Sequence, residues 1–354
     1  GSSEDKTISL AAKWIPKEGR SLDKKTGIYL LLAKKDDLSF TSTGKPTGAS
    51  VSLMKKGFRK VVSALNREIK TTETLMCSNQ WDKINFRLVP GRCLNKFHRS
   101  WMNEQKDGSI RVMNSEIREQ CKNNYQSFLE LVKQGKVSAK GKSLFIHEIV
   151  NEVINSTGSG YMSRGNLAQI FMNWKQNNPE RYALLNAQFK DHVNAIDEYQ
   201  QSLQSDDVGL GETVFLADVS GSMSGNPMGT SVGASIIGSY FNLEEGYHNR
   251  VLTFESQPRW VSLDYPKTRW EFNSEFNGYS GNNRFPIGDT WLPERVGKEL
   301  DWLEKIHVLS SAGWGGSTNF LAAVDMICDV AEKFNVDLPK RVLCITDMQW
   351  DAAD

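Results

Sequence analysis

The chain has 354 residues and a formal net charge of +1, with 43 Lys+Arg against 42 Asp+Glu, 39% hydrophobic and 24% charged side chains. That apolar content and low net charge exclude a disordered chain, and five cysteines are too few for a disulfide-dense miniature. No uninterrupted apolar run approaches the roughly 20 residues a membrane span needs, so a soluble protein of two domains with no membrane partner is expected.

The charge is unevenly distributed. Residues 1–211 hold 32 Lys+Arg and 22 Asp+Glu, a balance of +10, whereas residues 212–354 hold 11 and 20, a balance of −9. The excess is densest in residues 1–142, with 28 basic and 14 acidic side chains. Opposite fields on two domains suggest different partners, and a polyanion suits the first. Cys77, Cys93, Cys121, Cys328 and Cys344 show no C-x-x-C or C-x-x-H spacing. Reduced thiols in an intracellular, cytoplasmic protein are therefore expected, with no zinc site.

Residues 1–205 read as helical. Over 57–69, Phe58, Val61, Val62, Leu65 and Ile69 recur at helical spacing and leave Arg59, Lys60 and Arg67 on the other side, an amphipathic helix with a basic outer face. Similar periodic stretches fall at 117–132, 143–154, 163–174 and 179–204, separated by Gly, Ser and Asn clusters such as 155–160. An all-helical module is expected over 1–205; its helix-loop-helix rhythm is compatible with a HEAT-like solenoid, without a clean fixed period. Residues 206–211 have a linker composition. Beyond them, 213–217 is a short apolar run ending in Asp218, as a buried parallel strand should be. A helix at 226–241, strands at 250–254 and 260–263, helices at 294–306 and 318–334, and a strand at 341–346 ending in Asp347 follow. This alternation predicts a doubly wound, Rossmann-like α/β domain over 212–354, with ligands beyond the carboxyl ends of its strands.

Two of those strands end in a carboxylate. In Asp218-Val219-Ser220-Gly221-Ser222, alternate residues can turn three oxygens toward one point. The glycine-rich loop Gly313-Trp314-Gly315-Gly316-Ser317-Thr318 can bring Thr318 to the same edge, and Asp347 adds a second carboxylate. Hydroxyl, carboxylate and water oxygens suit a hard divalent cation, and two carboxylates suit Mg²⁺ or Mn²⁺. The plain alternative is a sheet edge with polar turns. Enzymatic patterns are missing: no Lys within 221–231 for a phosphate loop, no Gly-x-Ser-x-Gly at Ser220, and no second Asp two residues after Asp218. His98, His147, His192, His248 and His307 are scattered and read as surface or core residues, so a non-enzyme is expected.

Asp218-x-Ser220-x-Ser222 after an apolar strand, the Gly-Gly-Ser-Thr loop with Thr318, and Asp347 ending a later strand, in that order, resemble the metal-ion-dependent adhesion site (MIDAS) of a von Willebrand factor A domain. The resemblance implies that Ser220, Ser222 and Thr318 coordinate the cation, that Asp218 and Asp347 act largely through water, and that an open position takes an acidic group of a partner. Met348 departs from the pattern, since many members carry Gly after the aspartate. The sequence ends seven residues after Asp347, where such domains usually continue through another strand and helix, so the expectation is an A domain incomplete at its C-terminus.

Residues 11–21, 72–84 and 89–92, which include Trp14-Ile15-Pro16 and Val89-Pro90-Gly91-Arg92, resemble a domain-of-unknown-function family seen in plants, fungi and large DNA viruses. Its members join a helical module to such an A domain, an architecture similar to the Ro autoantigen (TROVE-like), whose ring of HEAT-like repeats binds misfolded and small noncoding RNAs. The resemblance implies RNA binding. The candidate surface is Lys55, Lys56, Arg59, Lys60, Arg67, Arg87, Arg92, Lys96 and Arg99, followed by Lys133, Lys136, Lys140 and Lys142. Trp81, Phe86, Phe97 and Trp101 are interleaved and either stack bases or fill a core. The main alternative function is a protein-interaction adaptor that captures an acidic partner residue through the metal; a metal-dependent hydrolase lacks a recognisable base or nucleophile.

Overall fold

The computed structural model of the chain describes residues 15–16, 18–33, 48–157, 167–203, 209–254, 258–268, 295–312 and 319–348. Its compact units do not follow the change of sequence texture at 206–211. One comprises residues 1–86 and 99–124, the other 87–98 and 125–354. The later helices of the basic half thus fold in the same unit as the sheet. Residues 206–208 of the expected linker lie outside the described residues.

In chain order the α-helices are α1 (Ser21–Thr26), α2 (Ile28–Ala33), α3 (Gly48–Glu68), α4 (Thr72–Cys77), α5 (Gly91–Lys96), α6 (His98–Trp101), α7 (Glu116–Lys133), α8 (Ile146–Thr157), α9 (Leu167–Asn177), α10 (Pro179–Ser202), α11 (Asn226–Tyr240), α12 (Trp302–Ser310) and α13 (Phe320–Phe334). The strands among the described residues are β1 (Thr213–Asp218), β2 (Arg250–Phe254), β3 (Arg259–Ser262) and β4 (Arg341–Ile345). The described helices before residue 203 run from 4 residues in α6 to 24 in α10, so no uniform repeat passes through them.

Within the first unit, the amphipathic pattern at 57–69 lies on α3, which begins earlier than the apolar spacing suggested. Trp101 is fully buried, with the rings of Phe86 and Trp81 packed edge-on against it at 5.4 and 5.6 Å. The Arg118 guanidinium covers the Trp81 ring at 3.6 Å and donates to Asn103 Oδ1 and Ser100 O. Phe86 and Trp101 are therefore core residues, closed to base stacking.

Within the second unit, the strand order is β3-β2-β1-β4. β1 is parallel to both β2 and β4, while β2 and β3 are antiparallel, so the sheet is mixed. Only four residues separate β2 from β3, too few for the crossover that a parallel pair needs. Side-chain alternation makes both faces apolar. Ala217, Val219, Val251 and Val261 join a core with α11 and α12, while Val214, Leu216, Leu252 and Phe254 pack with Ala323, Ile327 and Val330 of α13. Burial of each Val, Leu, Ile or Phe side chain among them contributes about 1.5–3 kcal/mol.

A further helical layer, α8 to α10, shares the first of these cores through Ile149, Val150, Phe171, Leu185 and Phe189. Helix α11 makes that possible with glycines on two sides. A methyl group at Gly233 would lie 2.5 Å from Ile146 Cγ1 of α8, and one at Gly238 would collide with the Phe215 ring of β1.

The helix expected from 294 begins at Trp302. Asp301 caps it by accepting from Glu304 N at 3.0 Å, while the Glu304 carboxylate accepts from Asp301 N at 3.1 Å. This capping box, together with Gly297 at φ +76°, outweighs the apolar spacing upstream. Residue 294 itself is outside the described residues. Among the described residues β4 pairs only with β1, and Val342 and Leu343 remain 42% and 48% exposed.

Candidate functional site

The apolar run of β1 carries Asp218 into the sheet, where it is completely buried. The next residues fold back on it: Ser220 N donates to Asp218 Oδ1 at 2.9 Å, and a single 3₁₀ turn, Gly221–Met223, holds Ser220 Oγ 3.0 Å from Ser222 Oγ. Gly225, at φ +89° and ψ −132°, makes the turn into α11 in a conformation open to glycine alone among common residues. Ser220 is buried and Ser222 exposed, so the hydroxyl pair runs from interior to surface.

β4 completes the arrangement from the other side. Its register with β1 pairs Ala217 with Ile345, so residues 346 and 347 leave the sheet beside Asp218. Thr346 Oγ1 donates to Asp218 Oδ2 at 2.6 Å and accepts from Met348 N at 3.1 Å. Ser231 Oγ of α11 donates to Ile345 O at 3.3 Å. The chain leaves β1 toward β2 on one side, and β4 returns on the other, which is the strand-order reversal where open α/β sheets form a ligand crevice. Asp347 follows at this edge, half-buried. Met348 stands at φ +65°, the left-handed conformation that glycine adopts without steric cost.

The donor set can be tested against a cation. An octahedral Mg²⁺ with oxygens at about 2.1 Å sets neighbouring ligand oxygens about 3.0 Å apart, while Ca²⁺, with six to eight oxygens at about 2.3–2.6 Å in flexible geometry, accepts a range of spacings that includes this one. The 3.0 Å between the Ser220 and Ser222 hydroxyls is compatible with a magnesium octahedron, and is the length of the hydrogen bond they make with each other. Asp218 has each oxygen engaged by a protein donor, which fits a carboxylate acting through water. Thr318 and the 313–317 loop lie outside the described residues. Among the described residues no three His, Cys, Asp or Glu side chains form a metal-holding group; the candidate site has two carboxylates, its other donors being hydroxyls. The Cys344 thiol, pushed up to about 12 by burial together with the neighbouring Asp218 carboxylate, stays protonated.

Thr346 carries no motif signal of its own in the sequence beyond its place before Asp347 at the end of an apolar run. It positions Asp218. The histidines have structural settings: His307 is fully buried, stacked on Phe171 at 4.5 Å and pushed down to about 3 by burial, while His98 Nδ1 lies 3.0 Å from Tyr125 Oη and His248 Nδ1 2.9 Å from Asn242 O.

The basic candidates divide between the two units. Lys55, Lys56, Arg59, Lys60 and Arg67 all lie on α3 and, with Arg99, in the first unit; Arg87, Arg92 and Lys96 belong to the second, as do Lys133, Lys136, Lys140 and Lys142. On α3, Lys56, Arg59, Lys60 and Arg67 are exposed along one broad face. Glu18 takes part of this charge, 3.1 Å from Lys55 Nζ and 2.6 Å from Arg59 Nη1, and the hydrogen bond from Lys55 leads in holding its carboxyl below the usual range. In the second unit Arg92 pairs with Glu148 at 3.1 Å and Lys142 with Glu198 at 2.8 Å. None of the five cysteines forms a disulfide, and no helix among the described residues is long and apolar enough to cross a membrane.

The chain belongs to the DUF2828 family, a domain of unknown function that matches residues 1–201. Over 350 residues it is 24% identical to an uncharacterised protein of Acanthamoeba polyphaga mimivirus, a match covering 98% of this chain and 47% of the viral protein. The chain thus spans about half the length of that curated relative. No solved structure matches it.

Proposed function

We propose that residues 212–354 form a von Willebrand A-type domain whose adhesion site holds Mg²⁺ and, through it, an acidic side chain of a protein partner. The observation that carries this reading is the convergence of Asp218, Ser220 and Ser222 with the end of β4 at the strand-order reversal, with hydroxyls at the edge length of a magnesium octahedron. Ser220, Ser222 and Thr318 would hold the ion, with Asp218 and Asp347 accepting from its waters. The cation supplies an open coordination position for a carboxylate. Thr346 fixes the Asp218 carboxylate, and Gly225 turns the chain away so that Ser222 faces solvent. Mn²⁺ fits the same donors. The test is complex formation with a captured partner: chelation or Asp218→Ala should abolish it, and charge reversal at Arg59 and Lys60 should not. The opposite ranking overturns the reading.

A second reading, Ro-like binding of single-stranded or structured noncoding RNA, draws on the +10 balance of residues 1–211 and on the exposed basic face of α3. Phosphate neutralisation by that face gives affinity without sequence selectivity. Binding of a structured RNA across a salt series tests it. No binding at low salt, or an affinity indifferent to salt, defeats it.

A further inference from the structure

The chain that follows Asp218 is free of charge: residues 219–243 contain no Lys, Arg, His, Asp or Glu. From Gly221 to Pro227 this stretch is exposed except at Met223, so Ser222 and Asn226 share one neutral lip. Asn226, the first residue of α11, is tied down from α8. Its Oδ1 accepts from Asn151 Nδ2 at 3.0 Å, and its backbone oxygen accepts from Thr230 Oγ1 at 3.0 Å. Gly229, three residues along α11, makes room for that bond. A methyl group there would lie 2.4 Å from Asn151 Oδ1 and 3.0 Å from His147 Cβ. Holding the amide by its oxygen turns its nitrogen away from Asn151, and the two N–H groups of that nitrogen meet no acceptor among the described residues.

We infer that Asn226 is the second contact for the partner's acidic side chain: one carboxylate oxygen takes the cation's open position and the other accepts from Asn226 Nδ2. Asn151 and Gly229 are positioning residues that hold the amide in place. The inference rests on the adhesion-site reading and adds to it the residue that fixes the orientation of the carboxylate. A carboxylate bridging cation and amide needs the amide nitrogen within about 7 Å of the Ser222 hydroxyl. Asn226 lies four residues beyond Ser222, a span of at most about 14 Å when extended, and the 3₁₀ turn at Gly221–Met223 shortens it. A neutral donor beside a cation suits the single charge of a carboxylate. A tetrahedral dianion calls for Arg or Lys, and the lip has neither.

The test uses the full chain loaded with Mn²⁺, with acetate and sulfate as probes. Displacement of water from the bound ion is read as a fall in water-proton relaxation. Acetate should bind more tightly than sulfate. Asn226→Ala should weaken acetate at least about fivefold, the loss of one hydrogen bond to a charged group, and leave Mn²⁺ affinity unchanged. Asn151→Ala should weaken acetate in the same direction. With chelator present, the urea midpoints of Asn151→Ala, Asn226→Ala and the double variant should be non-additive; strict additivity overturns the positioning role of Asn151. If Mn²⁺ binds and acetate affinity is the same in Asn226→Ala, or sulfate binds more tightly than acetate, this inference fails while the adhesion-site reading stands. Loss of Mn²⁺ itself in Asn226→Ala makes Asn226 part of the ion's own support and overturns the partner contact. Absence of Mn²⁺ from the wild type defeats both readings.

Discussion

Replacing Thr346 with Val keeps the side chain's shape and removes the hydroxyl that donates to Asp218 Oδ2 at 2.6 Å. Asp218 is completely buried, so water cannot fully substitute for the lost donor. A hydrogen bond to a charged group contributes about 1.5–3 kcal/mol, and an orphaned buried acceptor adds its own desolvation cost. Met348 N, which donates to the same hydroxyl at 3.1 Å, sits at an exposed turn where water replaces the partner at little cost. The expected loss is therefore about 2 kcal/mol, read as a lower urea midpoint with an unchanged slope. Thr346→Ser, which keeps the donor, should lose much less. In a double-mutant cycle with Asp218→Ala the two losses should fail to add by at least about 1 kcal/mol, because each removes the same interaction. A Thr346→Val loss below about 0.5 kcal/mol, or strict additivity in the cycle, would refute the view that Thr346 holds Asp218 in place.

Other outcomes follow from packing and titration. Gly233→Ala should cost about 1–3 kcal/mol, since the added methyl meets Ile146 Cγ1 at 2.5 Å between α11 and α8; chemical denaturation reads it. His307 is held neutral in the folded protein at a value of about 3 against an ordinary 6.5, so the unfolded chain binds the proton first as pH falls. Stability should be intact above pH 6.5 and decline toward pH 3, by about 3 kcal/mol at pH 4.5 from this residue, and His307→Leu should flatten the decline. Met348→Gly relieves a left-handed residue and should leave stability unchanged or raise it by up to about 1 kcal/mol in a thermal melt.

Strands β1, β2 and β4 were legible because buried parallel strands are short unbroken apolar runs, and two of them are closed by an aspartate. Their order was not, since pairing is decided by which helices cross which face. Helix α12 starts later than the apolar periodicity upstream suggests, because the Asp301/Glu304 capping box fixes its first turn. The compact units were least legible. Glycines such as Gly229 and Gly233 read as poor helix formers, and only packing shows them to be where α8 and α11 approach. At the candidate site, the alternation of Asp218, Ser220 and Ser222 already placed their oxygens together, whereas Thr346 acts across the β1–β4 pair and leaves no local spacing signal. For the basic residues, composition reported the charge but not its division between two units, nor its pairing with Glu18 and Glu148.

The most direct test of the adhesion-site reading is titration of the full chain with Mn²⁺, followed by electron paramagnetic resonance of the free ion. One bound ion per chain, displaced by Mg²⁺ and lost when Ser220 and Ser222 are both replaced by Ala, is the predicted result. No bound ion in the wild type, or binding that survives the double replacement, would contradict it.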